Sequence, residues 1–98
     1  MSFLRIWSYL PARGSETEFA AAYGQDGPWV ALFLRGAGYL GTELLRGAGG
    51  RWMTIDRWRS REDWAAFLAT HRAEYDALDR ECAGLALEES DHGEWEVQ

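Results

Sequence analysis

The chain contains no lysine, no asparagine and a single cysteine among its 98 residues. The absence of lysine excludes chemistry that forms a Schiff base on a lysine amine, including pyridoxal-dependent catalysis. Cys82 has no second cysteine for an internal disulfide, so nothing points to an oxidising compartment. No apolar run approaches 18 residues, and the opening stretch is too short and polar for a signal peptide. We therefore expect a cytoplasmic protein without membrane contact.

The charge balance is acidic, with 16 Asp and Glu residues against ten arginines and a formal net charge of −6. An excess of negative charge repels the phosphates of nucleic acids and anionic lipids, so neither is an expected partner. The two histidines have no neighbouring cysteine and no suitably spaced carboxylates, which is a poor pattern for a metal site. We expect neither a metal nor another cofactor.

Aromatic residues are abundant, with six Trp, four Tyr and four Phe in a chain long enough for one domain, residues 1–98. Each buried aromatic side chain removes about 150–250 Å² from water, so a few of them can fill a small core. The surplus needs either a partner surface or an aromatic-lined pocket. A homodimer and a small aromatic ligand are the partners that this composition suggests.

Apolar periodicity and breaker residues predict the order strand, helix, strand, strand, helix, strand. Strands are expected at residues 3–10, 39–46 and 51–59, and a last strand at 85–89 and 94–97 with an interruption at 91–93. The apolar stretch 29–34 fits a buried strand or a short helix, and we favour the helix. This order predicts an α+β, ferredoxin-like β-α-β-β-α-β fold with an antiparallel sheet.

Two serines are expected to begin the main helices. Ser15 precedes Glu18 by three residues, the spacing of a capping box, and Ser60 precedes an acidic first turn. The second of these helices carries one long apolar stripe, formed by Trp64, Phe67, Leu68, His71, Tyr75, Leu78 and Cys82. Helices on one face leave the other face of the sheet uncovered, so we expect a second copy of the chain to bury it.

Several short stretches recur together in one family. They are Glu18-Phe19 with Tyr23-Gly24, Gly27-x-Trp29, Gly38-Tyr39-Leu40-Gly41-Thr42-Glu43-Leu44, Ile55-Asp56-Arg57-Trp58-x-Ser60, Tyr75-x-x-Leu78-Asp79 and Gly93-x-Trp95. Their order and spacing, over nearly the whole chain, resemble the antibiotic biosynthesis monooxygenase family of dimeric α/β barrels. The resemblance implies cofactor-independent oxygenases of aromatic polyketides, quinol monooxygenases or haem-degrading enzymes.

The resemblance to these groups is partial at the level of residues. Polyketide-oxidising members use an Asn, a Trp four residues later and an Arg from the following helix. Trp58 matches that Trp, Arg72 or Arg80 matches the Arg, and Thr54 stands in place of the Asn. Haem-degrading members need an early Asn and a wider spacing than that of Trp64 and His71, so haem degradation is not expected.

The third strand carries the first set of candidate residues. Thr54, Asp56 and Trp58 alternate, so their side chains point to the same face of the sheet. A carboxylate among tryptophans must be paired or lie at a cavity wall, because burying an unpaired charge is costly. Asp56 is therefore either a general base or an ion-pair partner of an arginine, and Trp58 is either a platform for an aromatic substrate or a core residue.

The remaining candidates lie on the second strand and the long helix. His71 is either a second base, facing a ligand, or a core histidine satisfied by one hydrogen bond. Tyr39 and Glu43 are expected on one face of their strand, and together with Thr54, Trp64 and Arg72 they are the predicted substrate-binding residues. Two functions remain open: a cofactor-independent monooxygenase of a small phenol or quinol, and a non-enzymatic dimer for ligand binding or assembly.

Overall fold

A computed structural model describes residues 2–98. It contains one antiparallel sheet, whose inner face packs against the helices. The sheet has the strand order β2-β3-β1-β4. Its strands are β1 (Phe3–Pro11), β2 (Tyr39–Arg46), β3 (Trp52–Trp58) and β4 (Ala86–Glu96). The predicted ferredoxin-like order of elements is confirmed.

Three helices connect these strands. They are α1 (Glu16–Tyr23) and α2 (Pro28–Phe33) between β1 and β2, and α3 (Arg61–Cys82) between β3 and β4. Two 3₁₀ turns, Ala48–Gly50 and Ala83–Leu85, complete the connections. The helix favoured for the apolar stretch 29–34 is confirmed, and it begins at Pro28, whose missing N–H costs nothing in a first turn.

The two serine caps behave differently. Ser60 is extended (φ −154°, ψ 162°), and its hydroxyl accepts a hydrogen bond from the Asp63 N–H at 3.1 Å, as predicted. The capping box predicted for Ser15 and Glu18 is wrong, because the Ser15 side chain makes no hydrogen bond to the helix start. Its backbone (φ −106°, ψ 10°) lies outside the extended region that directs an N-cap hydroxyl toward the first turn.

The long helix α3 is interrupted at its middle. His71 has non-helical dihedral angles (φ −116°, ψ 25°), so the helix continues in a slightly different direction after it. The predicted stripe nevertheless meets the core on both sides of this kink, through Trp64 and Phe67 before it and Tyr75 and Cys82 after it. Within residues 2–98, no helix combines the length and the apolar composition needed to cross a bilayer.

The core lies between the inner face of the sheet and all three helices. Its buried members are mainly aromatic and come from every layer: Phe3, Tyr9, Phe19, Tyr23, Trp29, Leu32, Phe33, Trp58, Trp64, Phe67 and Cys82. Aromatic pairs at offset or edge-on angles contribute beyond their buried area, so this cluster gives the small domain much of its stability. Much of the aromatic surplus in the sequence is therefore absorbed within a single chain.

Two of the three register shifts in the sheet decide which side chains near the cavity face the helices. In β4, Asp91 pairs with Trp7 and Glu94 with Arg5, so three steps along β4 match two along β1. Gly93 makes this possible with a φ of +85° that other residues rarely adopt. The last strand is therefore continuous, and the interruption predicted at 91–93 is wrong.

The second bulge lies at the start of β2. Tyr39 pairs with Trp58 and Gly41 with Arg57, which leaves one extra residue in β2. Because of that residue, Tyr39 and Thr42 share the inner face, whereas Glu43 faces outward. The prediction that Tyr39 and Glu43 share a face is wrong for this reason.

Candidate functional site

A cavity of about 410 Å³ lies between the inner face of the sheet and the helices. All four strands and all three helices contribute to its wall. The lining residues are Arg5, Trp7, Tyr9, Tyr23, Trp29, Phe33, Thr42, Thr54, Asp56, Trp64, Leu68, Arg72, Tyr75, Asp79, Glu89, Asp91 and Glu94. Aromatic walls with a few polar groups are typical of a small-molecule site.

The strand register sets a row of polar residues across the floor of this cavity. Thr42 lies opposite Asp56, Asp56 lies opposite Arg5, and Arg5 lies opposite Glu94. Three of them are buried, with exposed fractions of 7% for Thr42, 6% for Asp56 and 8% for Arg5. The carboxyl group of Asp56 and the guanidinium of Arg5, both buried and on adjacent strands, thus face the same cavity.

Asp56 is held by a short chain of hydroxyl groups. The Thr42 hydroxyl donates to Asp56 Oδ1 at 2.8 Å, and Thr42 Oγ1 lies 2.6 Å from the Tyr39 hydroxyl. Because the only hydroxyl hydrogen of Thr42 goes to Asp56, Tyr39 is the donor in the second bond. The other carboxylate oxygen, Oδ2, accepts no hydrogen bond from a described residue, so it is free to take a proton from a ligand.

The electrostatic surroundings adjust the basicity of this carboxylate. Burial raises the pKa of Asp56 to about 6, although the hydrogen bond from Thr42 and the charge of Arg5 both act to lower it. At neutral pH the group is ionised and still basic enough to accept a proton. That combination is what a general base requires.

Arg5 is the residue that the sequence interpretation missed. One of its terminal nitrogens donates to Asp91 at 3.1 Å, and its guanidinium lies over the rings of Trp7 at 5.0 Å and Trp64 at 5.9 Å. Its Nε is buried and has no hydrogen-bond partner among the described residues. The sequence did contain a pattern that could have identified it. Alternate residues of β1 share one face, and this places the charge of Arg5 among the rings of Phe3, Trp7 and Tyr9.

The structure brings together four of the predicted site residues. Thr54, Asp56, Trp64 and Arg72 all line the cavity. Tyr39 does not line it, but reaches Asp56 indirectly through the hydroxyl of Thr42. Three of the predicted substrate-binding residues, Thr54, Trp64 and Arg72, therefore line the same cavity as Asp56.

The other three predicted residues lie elsewhere. Trp58 is 0% exposed and belongs to the core, enclosed by aromatic rings, so it does not face the cavity. His71 packs against Phe67, makes a hydrogen bond with Glu74 at 3.2 Å and does not line the cavity. Glu43 faces outward and accepts a hydrogen bond from Arg57 at 3.0 Å.

The residues of the cavity do not fit a haem group. No histidine, cysteine or methionine is among the described residues that line it. Tyrosine can also ligate haem iron, but burial raises the pKa of Tyr9, Tyr23 and Tyr75, which keeps them as neutral phenols. In residues 2–98, no cluster of three or more His, Cys, Asp or Glu side chains has a metal-binding arrangement.

Comparison with solved structures identifies the architecture. No family model and no curated protein sequence matches the chain. A candidate antibiotic biosynthesis monooxygenase from Bordetella bronchiseptica superposes with a TM-score of 0.76 at 21% identity, over 99% of this chain and 97% of that one. The chain has the antibiotic biosynthesis monooxygenase fold. The resemblance inferred from sequence is confirmed at this level.

Two further structures with this fold differ in their description: one is a cofactor-independent oxygenase and the other holds a metalloporphyrin. A variant of SnoaB, a cofactor-independent oxygenase from Streptomyces nogalater, gives a TM-score of 0.72 at 16% identity, over 99% of this chain and 93% of that one. A variant of MhuD with two manganese protoporphyrin IX molecules per active site gives 0.70 at 23% identity, over 97% and 93%. The fold therefore supports more than one chemistry, and the residues of each cavity must decide between them.

Proposed function

We propose that the chain is a cofactor-independent monooxygenase that oxidises a small phenol or quinol with O₂. The observation that carries this proposal is Asp56, a buried carboxylate of near-neutral pKa with one free oxygen in an aromatic cavity. Aromatic walls suit a flat ring, and a base beside a buried guanidinium suits a hydroxyl group that must lose its proton. A likeness in fold to SnoaB, a cofactor-independent oxygenase, agrees with this chemistry.

The first step is removal of the phenolic proton. Oδ2 of Asp56 accepts it, while the hydroxyl of Thr42 holds the other carboxylate oxygen in place. The phenolate that results lies near Arg5, whose charge favours the anion over the neutral phenol. In the low-dielectric cavity this stabilisation is larger than it is in water.

The anion is electron-rich and supplies the electrons that O₂ needs. For a quinol, one oxygen atom enters the ring and the second leaves as water, so that quinol and O₂ give a hydroxyquinone and H₂O. The substrate loses four electrons and O₂ gains four, which closes the balance without an external reductant. The protein contributes a base, a positive charge and exclusion of bulk water.

Oxygen consumption tests the proposal. Purified, chelator-treated protein is given a panel of quinols and polyphenols, and O₂ uptake is compared with the spontaneous rate. We expect uptake well above that rate for at least one compound, one O₂ consumed per quinol, and one ¹⁸O atom in the product under ¹⁸O₂. Bound compounds recovered unchanged after long aerobic incubation would instead favour a non-enzymatic binding module.

We also propose that the chain works as a homodimer through the outer face of its sheet. The helices cover only the inner face, and the outer face carries apolar side chains at the intervening positions, including Ile6, Met53, Ile55, Leu45 and Trp95. Leu45 and Trp95 are exposed at 42% and 55%. A contiguous apolar face of this kind is typical of an interface.

Substitution at the centre of this face tests the dimer. Ile55 pairs with Ile6 on one side and Glu43 on the other, so Ile55→Glu places a charge where the two sheets would meet. Light scattering is expected to give twice the chain mass for the native protein and the mass of one chain for the variant. Leu34→Glu, at an exposed leucine beside α2, is the matched control and should remain dimeric. A native protein of monomer mass at all concentrations would contradict the proposal.

A further inference from the structure

One end of the cavity carries two carboxylates that have no basic partner. Asp79 on α3 and Glu89 on β4 both line the cavity, and neither forms an ion pair with another described residue. Burial raises the pKa of Glu89, and the charges of Asp79 and Asp91 raise it further. Both residues are exposed where they line the cavity, and two acids that repel each other there would be stabilised by a cation between them.

These carboxylates lie at a distance from the proposed base. Glu89 is paired with Tyr9, whereas Asp56 is paired with Arg5, four residues away along β1. At about 3.4 Å per residue the two positions are separated by roughly 14 Å along the strand. A ligand whose hydroxyl reaches Asp56 can therefore present a different group to the acidic end.

Aromatic rings surround the acidic end. Tyr9, Tyr23 and Tyr75 line the cavity there, and Tyr9 and Tyr23 pack together with ring centroids 4.8 Å apart. The electron-rich faces of such rings attract ammonium groups, and the attraction increases when water is excluded. Carboxylates beside tyrosine rings are a combination that recognises an amine.

The two arginines of the wall do not cancel this negative charge. The guanidinium of Arg5 is bound to Asp91, and Arg5 lies opposite Asp56 in the strand register, so that its positive charge faces the hydroxyl end of the ligand. Arg72 is paired with Asp76 at 3.3 Å, and its side chain is 63% exposed. The cavity therefore has a donor at one end and acceptors at the other.

We propose that the cavity selects aromatic ligands that carry a hydroxyl group at one end and a basic amine at the other, and that it discriminates against aromatic carboxylates. The amine lies between Asp79 and Glu89, and the hydroxyl lies between Asp56 and Arg5. The ligand occupies the cavity that the proposed function assigns to the substrate. Its charge preference is nevertheless measured by binding under nitrogen, so failure of oxidation and failure of selectivity are distinguished.

Three phenols of similar size test the preference. Tyramine, 4-ethylphenol and 4-hydroxyphenylacetate carry an ammonium, a neutral and a carboxylate group on the same ring. Affinities are measured by calorimetry and by quenching of the tryptophans in the cavity wall. We expect tyramine to bind about tenfold tighter than 4-ethylphenol, and the carboxylate to bind weakest, with the difference decreasing as salt is added.

Isosteric variants show whether these two acids cause the preference. Asp79→Asn combined with Glu89→Gln should reduce tyramine to the affinity of 4-ethylphenol and leave 4-ethylphenol itself unchanged. Glu88→Gln, a neighbouring carboxylate on the outer face, should alter neither affinity. Equal affinity for the three phenols, no binding of any of them, or a preference that survives the double variant would overturn the proposal.

Discussion

Asp56→Asn is expected to lower the rate of O₂ uptake by about 10²- to 10⁴-fold, the usual contribution of a general base. The amide keeps the size of the side chain, and its carbonyl oxygen can still accept the hydrogen bond from Thr42. What it loses is the ability to take a proton at the position of Oδ2. Rates at saturating substrate, measured with an oxygen electrode, give the effect directly.

The wild-type pH profile belongs to the same prediction. Because the pKa of Asp56 is raised to about 6, the base is protonated and inactive below that pH and available above it. Activity should therefore rise through pH 6 in the native protein. Glu81→Gln, which changes an exposed carboxylate on α3 that does not line the cavity, is the control and should keep the native profile. Native rates in Asp56→Asn would remove this residue from the mechanism.

The same substitution is expected to stabilise the fold, which separates a catalytic role from a structural one. An aspartate ionises near pH 3.9 in the unfolded chain and near 6 in the folded protein, so the folded state binds more protons between these values. The free energy of unfolding therefore falls as the pH rises from about 4 to about 6, by roughly 3 kcal/mol for this shift. Urea titrations should find Asp56→Asn more stable than the native protein at pH 7 and no more stable below pH 4.

The two bulges explain which parts of this site could be predicted from sequence. Alternation along β3 placed Thr54 and Asp56 on one face because that strand is regular. Alternation failed along β2, where the extra residue before Gly41 moves Glu43 outward and brings Thr42 to Asp56. An extra residue in a strand leaves no periodic mark in the sequence, so the partner that holds Asp56 was not predictable.

The helix residues show a different limit. A stripe at helical spacing included His71, since a periodic pattern assumes a straight helix. The backbone departs from helical geometry at that residue, and its side chain contacts Phe67 and Glu74 instead of lining the cavity. Arg5 was missed although the alternation along β1 is regular. Its role depends on the pairing between β1 and β3, which places it opposite Asp56, and the sequence alone does not give that pairing.

Trp58→Ala is expected to destabilise the protein by about 3–5 kcal/mol, the usual cost of removing a large aromatic side chain from a core. The indole is 0% exposed and lies within 6 Å of the rings of Phe33, Tyr39, Trp64 and Phe67. Its surroundings are tight, since even a Cβ at Gly36 would lie 2.9 Å from an indole carbon. A loss of this size is a large part of the stability of a small domain.

Trp58→Phe distinguishes this core role from the substrate platform that the sequence suggested. The indole Nε1 has no hydrogen-bond partner, so phenylalanine removes volume without breaking a hydrogen bond. We expect a smaller loss of stability, measured by urea unfolding, and nearly native affinity for phenols, because the ring does not line the cavity. Leu34→Ala, at a leucine that is 68% exposed, should change stability by less than about 0.5 kcal/mol. Native stability together with lost phenol binding in Trp58→Phe would mean that this ring contacts the ligand, and that the core opens around it when a ligand enters.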